Sequence, residues 1–146
     1  MKSKIILAVV GAGLLTCALA GDTPQPAVVH FDYEKVAAAF TKGKPLLITD
    51  TFKVLAGRRD APGPVEIHER DTDVFYVLDG SATFVTGGKG VDMKTVSPGE
   101  IRGKEIVGGE PHHLVKGDVI VIPNGVPHWF KEVNGPFTYF VVKVTK

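Results

Sequence analysis

Beyond residue 45, short runs rich in Val, Ile, Phe, Tyr and Thr alternate with turn-forming residues almost to the end of the chain. The runs cover residues 46–49, 51–56, 65–70, 74–78, 81–86, 113–115, 119–122, 129–132 and 137–144. β-Branched and aromatic side chains suit a pleated, half-buried surface. Strands this short at this spacing fold into an all-β antiparallel sandwich or closed barrel. Seventeen glycines and ten prolines leave little room for long helices. One short helix is expected over residues 33–40, N-capped by Asp32 and ended by Gly43 and Pro45. Asp79-Gly80 reads as a hairpin turn between 74–78 and 81–86. Residues 87–109 are polar, with seven glycines and Pro98, and read as a long inserted loop, near 87–112 at its widest.

The N-terminus carries a different pattern. Lys2 and Lys4 precede an apolar run over residues 5–15, and Ala18-Leu19-Ala20 follows. A positive start, a short apolar middle and an Ala-x-Ala exit are the three parts of a secretory signal peptide. The run is shorter than the roughly 20 residues that span a bilayer. A lipoprotein reading would acylate Cys17, but Leu15 and Thr16 are bulkier than the residues such signals place before the cysteine. The expected organisation is a signal peptide at 1–20, a leader and short helix at 21–45, and one β domain at 46–146. Cys17 is the only cysteine, so an exported chain would have neither thiol nor disulfide. Lys and Arg number 17 against 16 Asp and Glu, and removal of Lys2 and Lys4 leaves 15 against 16. Such a balance carries no basic field, which argues against nucleic acid as partner and against a membrane once the signal is cleaved. The expected location is periplasmic or secreted.

Two segments carry chemistry. Glu66 and His68 are two residues apart on an expected strand, so their side chains leave one face. Asp73 opens the next strand and shares its face with Phe75 and Val77. If that face is the barrel interior, a carboxylate, an imidazole and a second carboxylate converge there, and buried charges need pairing or a metal. On the solvent face the same three would be ordinary polar residues. The second segment, residues 117–128, is a turn, a wholly apolar strand and a second turn that delivers His128 to a new strand.

In this second segment the sequence resembles the cupin superfamily. Gly117, Pro123, Gly125 and His128 fit the second cupin motif without a gap, and Glu132 stands at its closing Asn. In the first motif His68 fits the second His, Asp73 the Glu and Gly80 the Gly, whereas Glu66 replaces the first His and Asp60 the opening Gly. The resemblance spans about residues 46–144. It implies a small single-domain antiparallel jelly-roll barrel with one divalent metal in its mouth. It carries Glu66, His68, Asp73 and His128 over to the four ligand positions. Two imidazoles and two carboxylates suit Fe, Mn, Ni, Zn or Cu. Asp73, a methylene shorter than Glu, would reach the ion only through water. If not coordinated, Glu66 or Asp73 could serve as catalytic general base. The contrary reading is a degenerate cupin with a salt-bridged pocket and no metal.

Other polar residues read more plainly. His112 and His113 are taken as edge or loop residues and His30 as exposed. Arg58, Arg59 and Arg70 default to the surface, with binding of a substrate carboxylate as the lesser option. Two functional readings stay open. One is a metal-dependent enzyme of oxygenase, isomerase or lyase type acting on a small organic molecule; the other is a non-catalytic small-ligand-binding module. The strand at 137–144 is apolar on both faces, which implies a homodimer. The exported protein is expected to begin at Gly21, and intact-mass measurement on secreted material checks this: a mass retaining an acylated Cys17 rejects it.

Overall fold

The computed structural model describes residues 27–146; the expected signal peptide, its cleavage site and Cys17 lie outside the described residues. Helix α1 (Tyr33–Lys42) opens the fold, followed by β1 (Pro45–Ile48), β2 (Phe52–Arg59), β3 (Val65–His68) and β4 (Asp71–Thr86). Four short strands come next: β5 (Lys89–Val91), β6 (Lys94–Ser97), β7 (Glu100–Gly103) and β8 (Glu105–Val107). β9 (Glu110–Val115), β10 (Val119–Ile122) and β11 (His128–Thr145) complete the chain. The helix begins as expected, the Lys35 N–H donating to Asp32 Oδ1 at 2.9 Å. It runs two residues past the expected end and stops at Gly43 in the left-handed region, φ +59°.

All strand pairs are antiparallel, and two long strands organise the rest. β4 and β11 pair along nearly their whole lengths, from His128↔Thr86 to Thr145↔Asp71. β4 also receives β9 and β10, while β11 receives β2 and, at its first residue, β3. The sheet therefore curls on itself into a jelly-roll barrel, as the alternating strands imply. Its core is Phe75, Val77, Ala82, Phe84, Leu114, Ile122, Phe130, Phe137, Tyr139 and Val141. Phe130 lies against Phe84 at 4.6 Å and Tyr139 against Phe75 at 4.8 Å between ring centres.

Two sequence expectations are corrected here. Asp79-Gly80 is not a hairpin turn: β4 continues through it, with Asp79 paired to Thr138. Gly80 takes φ +81°, and a Cβ there would stand 2.6 Å from the Pro136 carbonyl oxygen. Gly80 therefore bends one long strand, and the inward phase passes from Asp73, Phe75 and Val77 to Ala82 and Phe84. Residues 87–109 are not a loop either, since β5 to β8 occupy most of them. They pair as β5–β8 and as β3–β7–β6, but β6 is exposed throughout, so no apolar alternation marks them in the sequence. The helix also alters the expectation for β11, because Phe40 of α1 meets Phe140 edge-on at 4.9 Å.

At the far end of the barrel from Gly80, Lys53 of β2 holds Asp71 of β4 at 2.6 Å, and Thr145 of β11 donates to the same carboxylate at 2.7 Å. Burial alone would raise the Asp71 carboxyl, but the Lys53 and Thr145 hydrogen bonds and the charges of Lys53 and Lys143 hold it below the usual carboxylate range. A carboxylate depressed in the folded state contributes stability above its unfolded pKa and loses it as pH falls through the folded value. Asp71→Asn is expected to cost about 1–3 kcal/mol at pH 7. Denaturant titrations at pH 7 and pH 3 check this: the gap between variant and wild type narrows at the lower pH.

Candidate metal centre

β3 presents Glu66 and His68 to the barrel interior two residues apart, and antiparallel pairing sets the first residue of β11, His128, opposite Glu66. The turn before β11 is tied to β3 by its backbone. The Gly125 N–H donates to the His68 carbonyl at 2.8 Å, and Asn124 donates through Nδ2 to the Glu69 carbonyl at 3.1 Å. Gly125 sits at φ +82°, a conformation that favours glycine. The Gly125 turn of the second segment is thus hydrogen-bonded onto the strand of the first.

Glu66, His68 and His128 each bring one donor atom into a cluster whose atoms all lie within 4.8 Å of one another. Glu66 Oε2 is 3.5 Å from His68 Nε2 and 3.8 Å from His128 Nε2. Both histidines are almost wholly buried, at 4% and 2% exposure, and neither Nε2 has a hydrogen-bond partner among the described residues. Two orphaned, buried ring nitrogens aimed at one carboxylate oxygen are costly unless something is bound between them.

The other ring nitrogens are engaged. His128 Nδ1 donates to the Val126 carbonyl at 3.0 Å, and His68 Nδ1 meets both oxygens of Glu100 at 2.9 Å. A proton placed on Nδ1 leaves Nε2 as a lone pair, the arrangement by which metal-binding imidazoles are oriented. Burial pushes the His128 imidazole below its ordinary pKa, His68 adding to the effect against the opposing Val126 bond and the Asp73 and Glu66 charges. Burial thus favours the uncharged ring, the form in which an imidazole binds a metal.

Glu66 has its two oxygens divided. Arg59 donates to Oε1 at 3.2 Å and Arg102 approaches the same oxygen at 3.7 Å, which leaves Oε2 to face the imidazoles. Burial would raise this carboxyl, but the His68 ring and the charges of Arg102, Arg59 and His128 hold it at about 2, so it is ionised throughout the neutral range. Arg102 also bonds Glu100 at 3.0 Å.

Asp73 is brought close without joining the three. Its Oδ2 is 3.5 Å from His68 Nε2, but Lys143 binds both of its oxygens at 2.7 and 2.9 Å. His112 bonds Thr86 at 2.8 Å, while His113 and His30 are exposed, so none of the three enters the cluster. Arg58 lies on the surface with Asp60, and Arg70 bonds the carbonyl of Lys146. Arg59 departs from its expected surface place. It is half-buried, its guanidinium stacked 4.5 Å over the Phe130 ring. Sequence reasoning also missed Glu100 and Arg102, which stand on β7 opposite His68 and Glu66 in register. They fall in the stretch read as loop, and an alternating acid and base, Glu100-x-Arg102, was the only signal available.

A cavity of about 300 Å³ adjoins the cluster on the Glu66 side. Glu66, Arg59, Lys143 and Asp73 line it together with Phe75, Phe130 and Tyr139.

Residues 22–146 match the model of the cupin family. The chain is a cupin. No curated protein matches it. Among solved structures, a Bacillus halodurans protein is 15% identical over 86% of this chain and 85% of its own, with a TM-score of 0.55. An RmlC-like cupin with a double-stranded β-helix fold from Methanocaldococcus jannaschii is 16% identical over 83% and 92%, at 0.53. A DMSP lyase from Ruegeria pomeroyi is 21% identical at a TM-score of 0.47, and this cupin spans 40% of its length. The first two carry the fold and nothing further.

Nitrogen-15 imidazole shifts of the metal-free protein at pH 7.5 test the orientation described above. His68 and His128 are each expected as the Nδ1–H tautomer, and Glu100→Ala is expected to mix the tautomers of His68 while leaving His128 unchanged.

Proposed function

We propose that this cupin is a metal-dependent enzyme acting on a small organic molecule, by oxygenase, isomerase or lyase chemistry, and that it works after export, as a homodimer. The observation that carries the reading is the pair of partnerless Nε2 atoms of His68 and His128, buried beside Glu66 Oε2 at the edge of a cavity. Glu66, His68 and His128 would hold the ion, a two-His-one-carboxylate set that suits Fe, Mn, Ni, Zn or Cu. When bound, the ion supplies Lewis-acid or oxygen-binding chemistry.

The chain's own residues do the rest. Arg59 and Arg102 restrain Glu66 by one oxygen, so it offers the other in a fixed direction. Glu100 and the Val126 carbonyl hold the imidazoles. Phe75, Phe130 and Tyr139 exclude water from the cavity and meet the apolar part of a ligand. Asp73 lines the same cavity outside the three ligands and is the carboxylate placed to take a proton there. The binding-module alternative draws on one observation, that Lys143 already engages both oxygens of Asp73. Export is supported by the charge and Ala-x-Ala pattern of residues 2–20. Pairing is supported by the exposed Val119 and Val121 of β10, which is bonded on one side to β4.

His128→Ala is expected to abolish stoichiometric metal in elemental analysis while the circular dichroism of the barrel is kept, since the Phe and Val core does not depend on that ring. His112→Ala and His113→Ala should leave metal content unchanged. Glu66→Gln should weaken binding more than Asp73→Asn does. Full occupancy in His128→Ala rejects the ligand set, and oxygen-uptake assays over a compound panel separate enzyme from binding module.

A further inference from the structure

The charges around Glu66, His68 and His128 fall into matched pairs. Three carboxylates approach the cluster: Glu66 and Asp73, each with an oxygen 3.5 Å from His68 Nε2, and Glu100 on His68 Nδ1. Three cations already answer them. Arg59 bonds Glu66 at 3.2 Å, Arg102 bonds Glu100 at 3.0 Å, and Lys143 bonds Asp73 at 2.7 Å. The next charges outward are matched as well, Arg58 with Asp60 at 2.8 Å and Lys53 with Asp71 at 2.6 Å. The shell is therefore electrically neutral before any ion enters. A divalent cation bound by two neutral imidazoles and Glu66 would place two positive charges in a site walled by Phe75, Phe84 and Phe130, with no unpaired carboxylate beside it among the described residues. Uncompensated charge in such surroundings is expensive, so its counter-charge has to arrive with the ligand.

The adjoining cavity is built for a ligand of that kind. Its polar wall holds the Arg59 guanidinium and the Lys143 ammonium beside their partners Glu66 and Asp73, so a ligand carboxylate would find there both a bound cation and two groups able to share a hydrogen bond with it. The rings of Phe75, Phe130 and Tyr139 line the same space with Leu55 and Val141, and the Arg59 guanidinium lies 4.5 Å over the Phe130 ring. At about 300 Å³ the space lies at the small end for organic ligands.

We propose that the site takes a small organic carboxylate with an apolar, preferably aromatic, skeleton, and that metal and carboxylate bind each other's complex more tightly than either binds alone. This rests on the metal reading above. Because linkage is reciprocal, the carboxylate must tighten the metal by the factor by which the metal tightens the carboxylate.

The test titrates Mn²⁺ into the purified protein, following loss of the aqueous Mn²⁺ resonance signal, in buffer alone and with benzoate, benzamide or chloride at equal concentration. Benzoate is expected to lower the apparent Mn²⁺ dissociation constant at least tenfold, with benzamide and chloride changing it less than twofold. Equal effects of benzoate and benzamide overturn the proposal, and so does an equal effect of chloride. Stoichiometric Mn²⁺ binding that no anion alters leaves the metal reading intact and overturns this one alone. Absence of Mn²⁺ binding under every condition overturns both. Lys143→Met provides a second measurement, because it frees the charge of Asp73 as an internal counter-charge. That variant should bind Mn²⁺ more tightly than wild type without benzoate, and its gain from benzoate should shrink. Arg102→Met, acting from β7 on Glu66 and Glu100, should shift both quantities the same way. Weaker Mn²⁺ binding in both variants, with the benzoate gain undiminished, counts against the charge argument.

Discussion

Glu66 shares one of its oxygens between Arg59 and Arg102 and turns the other toward two imidazoles, and the rest of the barrel mouth is arranged around that division. A carboxylate so far out of water costs several kcal/mol unless it is matched nearby. The match is drawn from strands remote in sequence. Arg59 ends β2, Arg102 lies in β7, and His128 opens β11. The charges thus hold together the same strands that the ladder hydrogen bonds join, and the cluster forms only once the barrel has closed.

Closure itself depends on β4 and β11. Each is far longer than an ordinary strand of about 5–6 residues, and both bend at the same place. Register shifts in β11 between Asn134 and Tyr139 lie opposite Gly80 of β4. Both arms of the bent pair carry the aromatic core, Phe75 and Tyr139 on one and Phe84 and Phe130 on the other, and its two ends carry Asp71 and His128. Phe137 and Val77 are completely buried within that core, and Phe84 joins it to the site, its ring centre 5.9 Å from that of His128.

Much of this was legible in the chain before folding. The β-rich runs gave the architecture, and Gly117, Pro123, Gly125 and His128 gave the strand and turn that deliver the second imidazole. Glu66 and His68 could be placed on one face by the period of a strand alone. What was hidden follows from pairing at long range. Nothing near Asp73 announces Lys143, seventy residues on, and nothing near His68 announces Glu100. Asp79-Gly80 has the composition of a tight turn, yet its partner strand also bends there, so the chain goes straight through. Residues 87–109 form strands through backbone pairing, with side chains half-exposed or exposed, and so lack the apolar rhythm that reveals a strand.

The placement of Glu100 and Arg102 on alternate positions of β7, opposite His68 and Glu66, bears on which changes of chain length this protein can accept. A side chain's face in a strand depends on whether its position is odd or even, so one inserted residue reverses every side chain beyond it. A single insertion between Gly99 and Glu100 that slid β7 by one step against β3 would carry Glu100 off the His68 imidazole and turn Ile101 toward the carboxylates. Two inserted residues would restore the faces while moving each side chain one pair along. Between β5 and β6, by contrast, extra residues lengthen a surface connection and leave the phase of β7 to its pairing with β3. Descendants of this chain are therefore free to vary in size around residue 92, whereas at residue 100 a deletion of one letter does more damage than most substitutions.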